Sequence, residues 1–336
     1  MLPGPGDLGR DDRDAARRVQ PAEIGGAMQI GMTVGGDVLA RPSSPAEIVT
    51  DAAQAEKEGY ATAWSVHFSR AYDALTTLAV AGSVTSRIGL GVGVVPTYPR
   101  HPLALAQQAA TAQVFCGGRL TLGVGVSHRP VIEGLHGLPY ASPAAHMREY
   151  LGILVPLLRG EEVHVAGEHY RVDGGFTVPG TSEVSVLVGA LSPRMVRAAG
   201  ELSDGVIVAF AGPRTLGDVV VPHLQTATAP GRPAPRVVAS LPVAVTDDPD
   251  AARAAAGTSF ARYDGLRNYR RVFDREGVAS VVDLAVVGTE SAVEAQLRRY
   301  ADLGVTEFWP IVYPVGDDPE ASIQRTRALL STLAGP

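Results

Sequence analysis

From Met28 to the C-terminus, short β-branched runs alternate regularly with amphipathic Ala/Leu-rich segments. The runs MQIGMTV (28–34), ATAWSV (61–66), RIGLGVGVV (87–95), RLTLGVGV (119–126), EVSVLVGA (183–190), DGVIVAF (204–210), RVVASLPVAVT (236–246) and VTEFWPIV (305–312) are apolar nearly throughout. That is the pattern of strands covered on both faces. Helical segments follow them at 43–60, 73–84, 101–115, 143–160, 192–203, 248–277 (one or two helices), 289–304 and 318–333. Several carry start signals. Ser44 and Glu47 have capping-box spacing with Pro45 at the first helical position, Ser192 precedes Pro193, and Ser291 with Glu294 is read as a second capping box. Strand–helix alternation implies a parallel sheet with right-handed crossovers. Eight such units predict an α/β fold of the (β/α)8 TIM-barrel type rather than an open sheet, which usually has fewer strands. One segment breaks the rhythm: EEVHVAGEHYRVDGGFTV (161–178) reads as a β-hairpin turning at Gly167, inserted before strand five.

Composition narrows the function classes. Hydrophobic residues make up 46% of the 336-residue chain, enough for a large core. The net charge of −6, with no basic run after the first thirty residues, argues against nucleic acid or an anionic membrane as partner. No apolar run reaches the ~18 residues of a membrane span. The single cysteine, Cys116, excludes an internal disulfide and a thiolate metal site, and its setting in AQVFCGGR predicts a buried structural thiol. Residues 1–27 mix both charge signs without an apolar core, unlike a secretory signal, and are expected to be a disordered leader of a cytoplasmic protein.

Active sites of such barrels are built at the C-terminal ends of the strands. Four ends stand out. In GLGVGVVPTYPRHP (89–102) three glycines in a strand suit either a bulge or the close approach of a flat ligand. In LTLGVGVSHRP (120–130) two glycines precede Ser127, His128 and Arg129; His128 is either a solvated loop histidine or a site residue. In VGALSPRM (188–195) a helix starts at Ser192–Pro193, a place that offers N–H groups to an anion, with Arg194 adding charge, unless Ser192 is only a cap. In AWSVHFSR (63–70) His67 directly follows strand two, and Trp64 is expected in the core. There is no HExxH, P-loop, EF-hand, GxSxG or Cys/His cluster. The pattern favours an organic cofactor over a metal or a nucleophile.

These segments resemble the luciferase-like flavin and deazaflavin oxidoreductases, above all their F420-dependent class, from Met28 to about Leu333. The likeness is carried by the Pro96, Pro99, Arg100, His101, Pro102 stretch, the GGR step at 117–119 and the GALSPR turn at 189–194. The resemblance implies a non-prolyl cis peptide at Gly93–Val94 supporting the cofactor ring. It implies further ring contacts from Val95, Val126 and Ser127, and a phosphate site at Gly189, Ala190, Leu191, Ser192 and Arg194. His67 matches a histidine after strand two. A glutamate that some members carry after strand four is replaced here by Ser127 and His128, with Glu133 following later. His67, His128, Glu133 and Tyr98 are thus the candidate proton donors. The implied cofactor is F420, with FMN as the alternative, in which case the chain would be an oxygen-using luciferase-like monooxygenase. The implied reaction is hydride transfer to a polarised C=C or C=N bond of a small-molecule or peptide-derived substrate, as in secondary metabolism, and the implied assembly is a homodimer. A non-catalytic cofactor-binding barrel is the remaining alternative.

Overall fold

A computed structural model describes residues 28–35 and 43–335; the expected leader at 1–27 lies outside them. The first strand is broken at Gly31 into β1 (Gln29–Ile30) and β2 (Met32–Thr33). Then follow α1 (Pro45–Lys57), β3 (Thr62–Ser65), α2 (Ala74–Gly82), β4 (Gly89–Pro96), α3 (Pro102–Phe115), β5 (Leu120–Gly125), a short α4 (Arg129–Gly134) and α5 (Pro143–Leu158). A hairpin of β6 (Val163–Ala166) and β7 (Arg171–Gly174) precedes β8 (Ser185–Gly189), α6 (Pro193–Leu202) and β9 (Gly205–Ala209). After two further helices, α7 (Pro213–Thr215) and α8 (Val221–Ala227), come β10 (Arg236–Val245), α9 (Pro249–Asp264) and α10 (Arg267–Glu276). The chain ends with β11 (Val286–Gly288), α11 (Glu290–Asp302), β12 (Glu307–Val312) and α12 (Pro319–Ala334).

The break at Gly31 closes the barrel. β1 pairs in parallel with β12 while β2 pairs with β3, so the first strand joins the two edges of the sheet. The remaining order is β12–β10–β9–β8–β5–β4–β3, every pair parallel. The antiparallel β6–β7 hairpin stands apart, as read from 161–178. The Ser44–Glu47 capping box and the Ser192 cap are both formed. The box read at Ser291–Glu294 is not. The N-cap of α11 is two residues earlier, at Thr289, and Glu294 instead pairs with Arg298 one turn on. Strand β11, on the edge of β10, and helices α4, α7 and α8 are additions to the sequence reading. Among the described residues no helix is long and apolar enough to cross a membrane.

The barrel interior is a packed core. Trp64, Leu187, Ile207, Val238 and Trp309 fill it, and the two indoles stack at 5.1 Å. The glycines of the neighbouring strands make room for them. A Cβ on Gly31 or Gly91 would lie 2.6 or 2.4 Å from Trp64, and one on Gly93 would lie 2.5 Å from Trp309. At the N-terminal end the buried Glu307 accepts from Trp64 Nε1 (2.7 Å) and from Arg236 Nη2 (3.0 Å). A buried carboxylate is tolerated there because both oxygens have donors. Cys116 is buried against the Leu78 carbonyl, as expected of a structural thiol, and burial pushes its pKa up to about 11.

Replacing Trp64 by Ala removes a fully buried indole and one of the two donors to Glu307. Urea unfolding is expected to show a loss of about 3–5 kcal/mol, the range for large-to-small aromatic core substitutions. A loss below about 1 kcal/mol, the size of a surface effect, would contradict this packing.

Candidate active site

Half-buried residues ring the C-terminal end of the barrel: Val66, His67, Gly93, Val94, Ser127, His128, Gly189, Ala209 and Ile311. The floor below them is Trp309 and Ile207, both within 3.6 Å of a Cβ placed on Gly93. Strand β4 breaks register with β5 between Val92 and Val95, and the Gly93–Val94 peptide is cis, where the resemblance set it. The Val94 side chain turns into a recess made by missing side chains. A Cβ on Gly125 would meet it at 2.5 Å, one on Gly123 at 3.2 Å and one on Gly189 at 3.4 Å. The result is a low apolar shelf with Val94 recessed between glycines, a shape that suits a flat ring. Val95 and Val126 are buried in the larger core cluster that includes the surrounding helices. They reach such a ring only through their backbone.

His67 lies beside this shelf, its side chain 8% exposed. The first N–H of α2, from Ala74, is donated to His67 Nδ1 at 3.4 Å. That N–H faces Nδ1, so the neutral tautomer matching this contact has its proton on Nε2. Burial, with help from the Arg100 cation, pushes the His67 pKa down to about 4, against the opposing pull of Asp73. Across the mouth, Ser127 takes a left-handed φ of 56° and His128 begins α4. Burial also lowers the His128 pKa. Its ring is 5.6 Å from Tyr269, which packs with Phe210 (5.2 Å) and Tyr263 (5.7 Å) into an aromatic wall. Phe210 is turned there by its own positive φ of 54° at the end of β9. Sequence reasoning missed this wall. Its only signal was the tyrosine pair at 263 and 269 within 248–277.

The other two candidate donors are engaged elsewhere. Tyr98 donates its hydroxyl to the Ala141 carbonyl (2.6 Å) and stacks on His146 (4.0 Å), and burial raises its pKa to about 12. Glu133 lies on the exposed side of α4 in an ion pair with Arg129. At the third strand end, Ser192 Oγ accepts from Met195 N–H (3.4 Å) and Pro193 occupies the first helical position. Ala190 N–H is bonded to Ile207. Ser192 and Arg194 are exposed, and the first-turn N–H groups of α6 point out of its N-terminus, an arrangement suited to an anion.

His146, 2% exposed and bonded to Thr97 Oγ1 at 2.9 Å, is likewise held down to about 4 by burial, with His169 adding to it. Both histidines stay neutral in the folded state and take up a proton near their ordinary value of 6.5 once unfolded. The stability they contribute is complete above that value and is lost as pH falls toward 4. The slope is up to about 2.7 kcal/mol per pH unit for two protons. Urea midpoints followed across this window should show that acid limb, shallower by about half in His146→Gln. Parallel curves for the two proteins would refute it.

A sequence profile for luciferase-like monooxygenases matches residues 28–307. A protein of Mycobacterium tuberculosis named as a coenzyme F420-dependent oxidoreductase is 32% identical over 280 residues, covering 76% of this chain and 80% of its own. The 5,10-methylenetetrahydromethanopterin reductase of Methanolobus tindarius is 25% identical over 312 residues, 84% of this chain and 95% of its own. Among solved structures, the coenzyme F420-dependent tetrahydromethanopterin reductase of Methanopyrus kandleri superposes with a TM-score of 0.72 at 22% identity. That match covers 91% of this chain and 98% of that one, and carries the fold. With the profile spanning nearly the whole barrel, the chain belongs to the luciferase-like monooxygenase family.

Proposed function

We propose that this chain is an F420-dependent oxidoreductase that moves a hydride between the deazaflavin and an organic substrate, reducing a polarised C=C or C=N bond. The observation that carries this reading is the shelf at Gly93–Val94, with Val94 recessed among glycines and a neutral histidine at the end of the neighbouring strand. It is supported by the Mycobacterium tuberculosis relative named as a coenzyme F420-dependent oxidoreductase. The residues fit such a cofactor. Gly125 and Gly189 leave the recess that seats Val94 under a planar ring, and the start of α6 with Ser192 and Arg194 suits its phosphate. When bound, F420 supplies a two-electron hydride at C5. The protein's part is to fix one ring face, keep water from the shelf and offer a proton. His67, with its proton on Nε2, is the leading donor, and His128 stands on the opposite side of the mouth. The wall of Phe210, Tyr263 and Tyr269 favours a planar, largely apolar substrate, small or peptide-derived.

We further infer a homodimer built on α2 and α3. Six large apolar side chains are exposed on and beside these helices: Tyr72, Val80, Val84, Leu103, Val114 and Phe115, the last 62% exposed. Exposed apolar side chains clustered along neighbouring helices suit an interaction face.

Two measurements check these readings. Titration with F420 and, separately, FMN, followed by fluorescence, is expected to show saturable F420 binding. His67→Ala should keep that binding while slowing turnover about a hundredfold or more, the usual range for a general acid. Binding of FMN alone, with oxygen-dependent turnover, would overturn the assignment. In sedimentation velocity, Phe115→Glu should shift a dimer to monomer; an unchanged coefficient would remove α3 from the interface.

A further inference from the structure

The Pro-Arg-His-Pro stretch before α3 has a role that neither packing nor cofactor contact accounts for. Asp73 caps α2, and its Oδ1 accepts from Thr76 N–H (2.9 Å), Thr76 Oγ1 (2.9 Å) and Gln108 Nε2 (3.0 Å). Its Oδ2 accepts from Arg100 Nη2 at 2.6 Å, and Arg100 Nη1 donates to Gln108 Oε1, also at 2.6 Å. Arg100, Gln108 and Asp73 thus form a closed ring of hydrogen bonds between the N-termini of α2 and α3. The same Oδ2 is 3.9 Å from His67 Nδ1, outside hydrogen-bond range.

We propose that Arg100 is a positioning residue: by claiming the Asp73 carboxylate, it keeps that carboxylate off His67 Nδ1 and so holds the imidazole in the tautomer with its proton on Nε2. The chemistry leaves two arrangements. A carboxylate at hydrogen-bond distance from Nδ1 draws a proton onto that nitrogen and stabilises the imidazolium. An N–H group at the same place excludes a proton from Nδ1. Here the second arrangement holds, with Ala74 N–H as the donor, one residue along from the aspartate that would create the first. Arg100 and Gln108 decide between them, because Asp73 has both oxygens already bound. The charged and titratable groups that face His67 are Asp73, Arg100 and His136, the last of which shares a hydrogen bond with Ser69 Oγ at 2.9 Å. Arg100 and His136 act against an imidazolium and Asp73 for it, so removing Arg100 both lifts a repulsion and frees the opposing charge.

This inference rests on His67 as the proton donor, but its test needs neither cofactor nor turnover. Nitrogen NMR of protein labelled at histidine, recorded ligand-free through a pH titration, reports both the tautomer and the midpoint of His67. The wild-type protein is expected to carry the His67 proton on Nε2 at neutral pH. R100Q should transfer proton density to Nδ1 and raise the midpoint by about one unit or more, a tenfold change in proton affinity. R100Q with D73N should return both toward wild type. A wild-type proton on Nδ1 would overturn the proposal, and that measurement needs no variant to fold. An R100Q titration superimposable on wild type would overturn it as well. A chain that proved to use FMN would leave these spectra, and the proposal, intact.

Discussion

Two stacked indoles in the barrel lumen set the level of everything above them. Trp64 and Trp309 come from strands at opposite ends of the chain and occupy the space vacated by Gly31, Gly91 and Gly93. Because the lumen is plugged at that height, a ligand entering the mouth finds a floor rather than a channel. Gly93 belongs to the shelf and also makes room for Trp309, while Gly123, Gly125 and Gly189 make room for Val94. Packing below and space above are thus one constraint, and a larger residue at Gly93 would collide with Trp309 before it met any ligand.

On that floor the polar groups are few and fixed. His67 is oriented by the first N–H of α2, and His128 by the turn at Ser127 and the tyrosine behind it. Both are held neutral by burial. The proposed hydride transfer gains from this economy. Neutral donors in a water-poor cleft can protonate a developing anion without a resident charge beside the ring.

The barrel was legible in the sequence because its main strands are apolar nearly throughout and several helices begin with a local signal. Both properties are written into a few adjacent residues. Ser44, Pro45 and Glu47 formed the expected cap, whereas Ser291 and Glu294 had the same spacing without the same outcome. There the chain already turns into helix after Gly288, and Glu294 finds Arg298 instead. The glycine-rich strand at 89–95 could be marked as unusual, but its reason, two tryptophans arriving from other strands, is non-local. The aromatic wall was invisible for the same cause: Phe210, Tyr263 and Tyr269 belong to different elements and meet only once α9 and α10 fold over the mouth. Glu133 and Tyr98 satisfied every sequence criterion for a donor. Only coordinates could show Arg129 on the one and the Ala141 carbonyl on the other.

The central claim is that a planar cofactor lies on the Val94 shelf with its phosphate at the start of α6. A crystal structure of the protein grown with oxidised F420 tests it directly. The account expects one face of the deazaflavin against Val94 and the cis peptide, with the phosphate within hydrogen-bond reach of the turn at Leu191–Ser192. A ring bound away from β4, or a phosphate held by any other strand end, would contradict it.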